Sequence, residues 1–175
     1  MVHSDRSLEV EISDLRRRVG TQRAVVRSGR VGELVVGSTH LPAEALVTLA
    51  LELESIPAGI AVHGRLEADW VGACRRCLEE VTGRLDSTVD EVFAAGPDSE
   101  EHYGFQGDVL DLISLARDCV LLDLPTAPVC TSDCAGPEPD LFPVTVEDDS
   151  DVGSERPRDP RWDALDVLLE PPAAD

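Results

Sequence analysis

Apolar and polar side chains alternate through three successive segments of the middle of the chain. Because neighbouring side chains of a strand point to opposite faces, a period of two predicts strands with one buried face. The polar positions between them carry mostly Glu, Asp, Arg and Thr, which suits a face in water. The predicted inward positions are Val47, Leu49, Leu51 and Leu53, then Ile60, Val62, Leu66, Ala68 and Trp70, then Val81, Leu85, Val89 and Phe93.

Successive strands that each have one polar face are typical of an antiparallel sheet covered on one side. The segments LEVEI (residues 8–12) and GELVV (residues 32–36) are candidates for additional strands. The predicted fold class is therefore α+β, with an antiparallel sheet of about four to six strands packed by one main helix.

The covering helix is predicted in DVLDLISLARDCVLLDLP, residues 108–125. Its apolar residues recur at spacings of three and four, as on one face of a helix. Asp108 is a candidate N-cap, and Pro125 ends the pattern. The residues predicted to face the sheet are Leu112, Leu115, Ala116, Cys119 and Leu122.

The last quarter of the chain differs in composition from the rest. Residues 131–175 contain thirteen acidic and three basic side chains and are rich in Pro and Gly, which predicts a largely flexible acidic tail. We therefore divide the chain into a core domain, residues 1–134, and a tail, residues 135–175. Asp159-Pro160 is a helix start signal, and it predicts a short amphipathic helix near residues 160–169 with Trp162, Leu165 and Leu169 on one face.

Charge and composition exclude several functions. All fifteen cationic residues are Arg, so a Walker A loop and a Schiff-base lysine are excluded. The formal charge of −20 disfavours generic binding to nucleic acid. No apolar run is long enough for a signal peptide or a membrane span, so we expect a cytoplasmic protein. The four His residues have no partner at catalytic spacing and no nucleophile elbow is present, so we expect no enzymatic activity.

Two pairs of cysteines carry the clearest chemical signal. Cys74 and Cys77 form a C-x2-C motif between two predicted strands, and Cys130 and Cys134 follow the predicted helix. Such turns can direct two thiolates at one ion, and two pairs make a four-cysteine zinc site plausible. Two other interpretations are open: inert free thiols, or a redox or metal-sensing motif in which the arginines of CRRC lower the thiol pKa. The fifth cysteine, Cys119, has apolar neighbours on the helix, so we expect it in the core.

The only locally basic segment lies near the N-terminus and includes Arg16, Arg17 and Arg18. These arginines form either one solvated helical turn or a contact to RNA phosphate, and the acidic chain favours the first. The acidic tail suits a basic protein partner, such as a ribosomal protein.

Three motifs occur in the order WVGACRRCLEEV, DVLDLISLARDCVLLDLPTAPVCTSDCAG and DPRWDALDVL. This combination resembles the YceD-like family, the large ribosomal RNA subunit accumulation proteins, over about residues 8–169. The segment RDCVLLDLP is similar to that of an actinobacterial branch of this family. The resemblance implies a non-enzymatic role in the synthesis, processing or stability of 23S ribosomal RNA. We expect it to act by binding a large-subunit precursor or a basic ribosomal protein, with no membrane and no small-molecule substrate.

The chain departs from the pattern of that family after Cys134. Relatives commonly continue as GLCPxCG, whereas residues 135–140 read AGPEPD, so two expected cysteines are missing. Either zinc has been lost, or Cys74, Cys77, Cys130 and Cys134 suffice for one structural zinc ion. Both interpretations are open, as is the alternative that the chain is a small thiol redox or metal-sensing protein that uses the CRRC turn.

Overall fold

A computed structural model of the chain describes residues 6–96 and 102–141, together with residues 143 and 161. The chain forms two compact units, Met1–Phe142 and Pro143–Asp175, and the described strands and helix lie in the first. The helix predicted near residues 160–169 lies outside the described residues, apart from Arg161. The boundary placed at residue 134 stays a prediction.

The described part consists of nine strands, one α-helix and two short 3-10 turns. The 3-10 turns span Arg6–Leu8 and Leu15–Arg17. The strands and the helix are β1 (Glu9–Glu11), β2 (Gln22–Gly29), β3 (Leu34–Val36), β4 (Thr39–Leu41), β5 (Val47–Ile56), β6 (Gly59–Ala73), β7 (Glu80–Ala95), β8 (Tyr103–Phe105), β9 (Val109–Asp111) and α1 (Ile113–Asp123).

The centre of the main sheet is the long strand β6. One edge of β6 pairs along its whole length with β7, residues 80–94. The other edge is shared, because β5 pairs with its first ten residues and β4 pairs with Val71 and Gly72 near its end. Strand β2 extends the sheet beyond β5, β3 extends it beyond β4, and the short β8 adds to β7 in parallel. A separate two-stranded ribbon joins β1 to β9.

One face of the main sheet carries the hydrophobic core. Helix α1 packs against β3, β6 and β7 on this face, and the core continues into the ribbon through Val10 and Leu110, both fully buried. The predicted inward positions of β5, β6 and β7 are buried, except for Val81 and Trp70, which are half-buried. Because Val, Leu and Ile supply nearly all of this core, its stability comes from aliphatic burial.

The predicted fold class is confirmed as a mostly antiparallel sheet with one helix. The candidate segments LEVEI and GELVV contain β1 and β3. The main sheet contains seven strands, more than predicted, since the three-residue strands β4 and β8 are too short to show a period of two. The eight-residue β2 was also missed by the sequence analysis. Its exposed positions include apolar Ala24 and Val26, whereas Arg23 and Arg27 are half-buried on the opposite face, which hides the alternation.

Two details of the predicted helix are wrong. Asp108 does not cap it: residues 109–111 form β9, and the Asp111 carboxylate accepts the Ile113 N–H at 3.0 Å. Leu122 does not face the sheet, because its side chain is 83% exposed. The buried stripe follows a spacing of four through Leu112, Ala116, Val120 and Leu124, and Leu122 lies about 120° around the helix from Ala116.

Candidate metal centre

The first cysteine pair lies in the tight connection between β6 and β7. Cys74 follows the last residue of β6, and its backbone N–H donates to the carbonyl of Glu79 at 2.8 Å. Its carbonyl accepts the N–H of Leu78 at 2.9 Å, which closes the turn over Cys77. Leu78 has a φ of 65°, a left-handed conformation that a non-glycine residue adopts only at some cost. This turn holds both sulfurs on one side of the connection.

The second cysteine pair lies in the segment that follows α1. Backbone contacts fix this segment against the first turn, since the N–H of Arg75 donates to the carbonyl of Pro128 at 2.9 Å. The guanidinium of Arg76 donates to the carbonyls of Ser132 at 3.1 Å and Cys134 at 3.0 Å. Two segments that are more than fifty residues apart in sequence are therefore bound together by main-chain acceptors.

The hairpin of β3 and β4 supports both cysteine segments. The fully buried hydroxyl of Thr39 lies 2.8 Å from the carbonyl oxygen of Pro125, directly after α1. The N–H of Ala73 donates to the carbonyl of Ser38 at 3.0 Å, immediately before Cys74. Sequence reasoning missed both residues, because an isolated Ser or Thr carries no signal for a partner tens of residues away.

All four thiol sulfurs of the two pairs lie within 4.8 Å of one another. The Sγ atoms of Cys74 and Cys134 are 3.8 Å apart, and those of Cys77 and Cys130 are also 3.8 Å apart. A tetrahedral zinc site with Zn–S bonds of about 2.3 Å requires sulfurs separated by about 3.8 Å. A disulfide requires about 2.05 Å, so the four residues are free thiols spaced for metal coordination.

Backbone donors around Cys74 favour its thiolate, the form that binds a metal. The N–H groups of Arg76 and Cys130 point at its sulfur at 3.4 and 3.5 Å. Backbone hydrogen bonds, that of Cys77 foremost, lower the pKa of the Cys74 thiol to about 6. The Glu79 N–H lowers the pKa of Cys77, but burial and the neighbouring thiols outweigh it and raise that pKa to about 12. Four thiols without a cation therefore do not ionise together, because their negative charges repel.

The remaining cysteine is apart from this cluster. Cys119 is half-buried on α1 and packs against the hydrophobic core. Burial raises the pKa of its thiol to about 11, with a further contribution from Asp123. The expectation that Cys119 belongs to the core is thus confirmed.

The three N-terminal arginines considered for RNA contact have different environments. Arg16 is bound to the protein itself, with Nη1 at 2.6 Å from the Asp108 carboxylate and the guanidinium over the ring of Phe105. The side chains of Arg17 and Arg18 are exposed and make no hydrogen bond or ion pair with any described residue. Only the latter two are available to an external ligand.

Comparison with known proteins places the chain in a family. Residues 62–169, more than half of the sequence, match the family described as "Large ribosomal RNA subunit accumulation protein YceD". The chain belongs to the YceD family. This matched range contains both cysteine pairs, so the YceD-family region includes the whole metal-spaced cluster.

Mycobacterial proteins are similar to this YceD-family chain, some of them over nearly its full length. An uncharacterized protein of Mycobacterium tuberculosis is 35% identical over 184 aligned residues, which cover 97% of this chain and 84% of that protein. An uncharacterized protein of Mycobacterium bovis gives the same values. An uncharacterized protein of Mycobacterium leprae is 34% identical, over 72% of this chain and 62% of that protein. No solved structure shows significant similarity to the chain.

None of the helices in the described residues has the length and apolar character that crossing a bilayer requires; the longest, α1, has eleven residues.

Proposed function

We propose that Cys74, Cys77, Cys130 and Cys134 hold one structural zinc ion. The observation that carries this proposal is the convergence of four free thiols at the sulfur separation of a tetrahedral site. Four protein ligands leave no open coordination position for water or substrate, which is typical of structural rather than catalytic zinc. The ion would join the β6–β7 turn to the segment after α1.

The two cysteines that the family resemblance leads one to expect after Cys134 are not needed for this site. A tetrahedral zinc ion takes four ligands, and the four thiols present supply them. Four thiolates around Zn²⁺ leave two excess negative charges, and the guanidinium of Arg76 lies against the same turn. The chemistry of the ligands therefore supports retention of the metal.

The competing redox function has less support. The 3.8 Å sulfur contacts join thiols of different segments, Cys74 with Cys134 and Cys77 with Cys130, rather than the two thiols of the CRRC motif. That motif also lies between two antiparallel strands, whereas redox C-x-x-C motifs belong to β-α-β units.

Elemental analysis of protein purified without chelator tests the zinc site, combined with thiol titration of the native chain. We expect about one zinc per chain and four thiols that react only after a chelator is added. Cys119 serves as an internal reference, because its slow reaction should be independent of the chelator. A metal-free chain with a rapidly reacting Cys74 would favour the redox function instead.

We infer that the protein acts in accumulation of 23S ribosomal RNA as a non-enzymatic assembly factor of the cytoplasm. The family description supports this role. The formal charge of −20 suits binding to a basic ribosomal protein within a large-subunit precursor. Of the three N-terminal arginines, Arg17 and Arg18 are the candidates for direct contact with RNA, since Arg16 is occupied by Asp108.

The test is a deletion strain whose 23S RNA and large-subunit particles are quantified against 16S RNA. We expect a selective loss of 23S RNA that the intact gene restores, and salt-sensitive recovery of large-subunit components with the purified protein. An Arg17→Ala, Arg18→Ala variant separates the two contacts: it should retain the protein partner and lose only RNA. Unchanged 23S RNA together with no recovered component would refute the role.

A further inference from the structure

The face of the main sheet opposite the core contains an open depression of about 380 Å³. It lies over β2, β5 and the first half of β6. The strand register places Val26 opposite Ala50 and Ala24 opposite Glu52, and Glu52 in turn lies opposite His63 on β6. Directly opposite residues of an antiparallel pair share a face, so these five side chains surround the same space.

Small residues leave this space empty. Ala24 and Ala50 end at their Cβ atoms, and Val26, 64% exposed, forms an apolar wall. Gly64 lies against β5 so closely that a Cβ atom there would be 2.1 Å from the Ala50 carbonyl oxygen, and its φ is +151°. Glycine is thus required for the close approach of the strands beneath the depression. The floor is apolar and remains open to solvent.

The surroundings of the depression are acidic. The outward positions of β5, β6 and β7 carry seven carboxylates and two arginines: Glu52, Glu54, Glu67, Asp69, Glu80, Asp86 and Asp90, and Arg65 and Arg84. Both arginines are already paired within this face, Arg65 with Asp86 and Arg84 with Glu67.

The carboxylates nearest the depression retain capacity to bind a cation. The Glu52 carboxylate makes no hydrogen bond or ion pair with any described residue. Asp90 contacts the exposed His63 at 2.9 Å, which leaves much of its carboxylate in water. A cation that enters beside the apolar floor would meet both groups.

We propose that this depression is a docking site for an arginine- or lysine-rich protein segment. An aliphatic side chain of that segment occupies the space above Ala24 and Ala50, beside Val26, and its flanking cations pair with Glu52 and Asp90. RNA is disfavoured here because the carboxylates repel phosphate. The inference rests on the proposed function, to which it adds the surface that would bind a basic ribosomal protein.

The probe is a fluorescein-labelled synthetic peptide of alternating arginine and glycine with one central leucine, titrated with the full chain. A peptide with alanine in place of the leucine measures the apolar contact, and we expect it to bind about tenfold more weakly. Binding should weaken as salt increases, since exposed charge pairs are screened. A single-stranded RNA oligonucleotide with the same label tests the competing ligand.

Two variants test the position. Ala50→Arg fills the depression and adds a cation, so we expect binding of the peptide to weaken by about tenfold or more. Glu52→Gln keeps the space open and removes one charge, so a loss of about threefold and a smaller salt dependence are expected. The control is Val35→Arg, at an exposed position of β3. Val35 lies opposite His40 of β4, which in turn lies opposite Val71 of β6, about 20 Å along the strand from the depression. Its affinity should stay within about twofold of the original.

Equal binding by the Ala50→Arg and Val35→Arg variants, with thermal unfolding unchanged in both, would overturn the docking site. Stronger binding of RNA than of the peptide, lost on Ala50→Arg, would assign the depression to RNA and refute the proposal as well.

These results are separable from the family role. A deletion strain with normal 23S RNA refutes the assembly function and leaves the peptide measurements standing. If the deletion strain loses 23S RNA and the Ala50→Arg variant restores it fully, the assembly function stands but does not depend on the docking site.

Discussion

Replacement of Cys74 by serine is the sharpest perturbation of the candidate metal centre. Its sulfur is fully buried, lies 3.8 Å from that of Cys134 and accepts two backbone N–H groups. A serine hydroxyl is a poor zinc ligand at neutral pH and is almost the same size. We therefore expect Cys74→Ser to lose the metal while keeping the packing of the β6–β7 turn.

The magnitude follows from the separation of the two cysteine segments. Cys77 and Cys130 are 53 residues apart, so bringing both pairs together in the unfolded chain costs about 4 kcal/mol of loop-closure free energy. Bound zinc should therefore stabilise the folded state by about the same free energy. A ligand present at about a thousand times its dissociation constant gives a stabilisation of this size. The aliphatic core should keep the domain folded without the ion, so the loss is in stability rather than in the fold.

Urea unfolding of four samples measures this effect: the original chain and Cys74→Ser, each with and without EDTA. We expect the chelator to lower the unfolding free energy of the original chain by about 4 kcal/mol and to leave Cys74→Ser unchanged. Cys119→Ser is the matched control, because it makes the same chemical change outside the cluster and should keep both its zinc and its response to EDTA. A chelator effect of equal size in Cys74→Ser, or none in the original chain, would refute the reasoning.

Three further predictions concern the fold. Leu115→Ala should destabilise the domain by about 3 kcal/mol in urea unfolding, whereas Leu122→Ala should change stability by less than about 0.5 kcal/mol; similar losses would contradict the observed helix face. Gly64→Ala should cost about 3 kcal/mol or more because its Cβ meets the backbone of β5, and Gly96→Ala, with a similar φ and open space, should cost clearly less. Burial and the carboxylate on α1 raise the pKa of Tyr103, so its phenolate absorbance should appear at higher pH in the native chain than in urea. The folded state holds this proton more tightly, so its contribution to stability is present below a pH of about 10 and is lost as the pH rises further. Because the chain contains a single tyrosine, equal midpoints in both states would refute that shift.

Several features of the fold were predictable because they depend on local periodicity. The alternation that defines β5, β6 and β7 follows from the two-residue repeat of a strand, and the burial of Leu49, Leu66 and Val89 confirms it. The phase of α1 was harder to predict, since spacings of three, four and seven overlap in DVLDLISLARDCVLLDLP. The first residues of that segment instead form β9, which pairs with β1, a partner about one hundred residues away.

The candidate site was predictable in its members and not in its geometry. The spacing of Cys74 and Cys77 marks a turn that can present two sulfurs, and Cys119 is excluded by its apolar neighbours. Nothing local indicates that Arg75 binds Pro128, or that Arg16 is held by Asp108 and so is withdrawn from any RNA contact.

The sequence by itself determined the strand pattern, the acidic character of the chain and the two thiol pairs, because these depend on side-chain type and near-neighbour spacing. Only the tertiary structure decided that β4 and β5 share one edge of β6, that four sulfurs meet within 4.8 Å, and that small residues leave a depression on the outer face. Such arrangements join segments that are far apart in the chain. Their formation depends on packing and main-chain hydrogen bonds that offset the entropy of closing long loops.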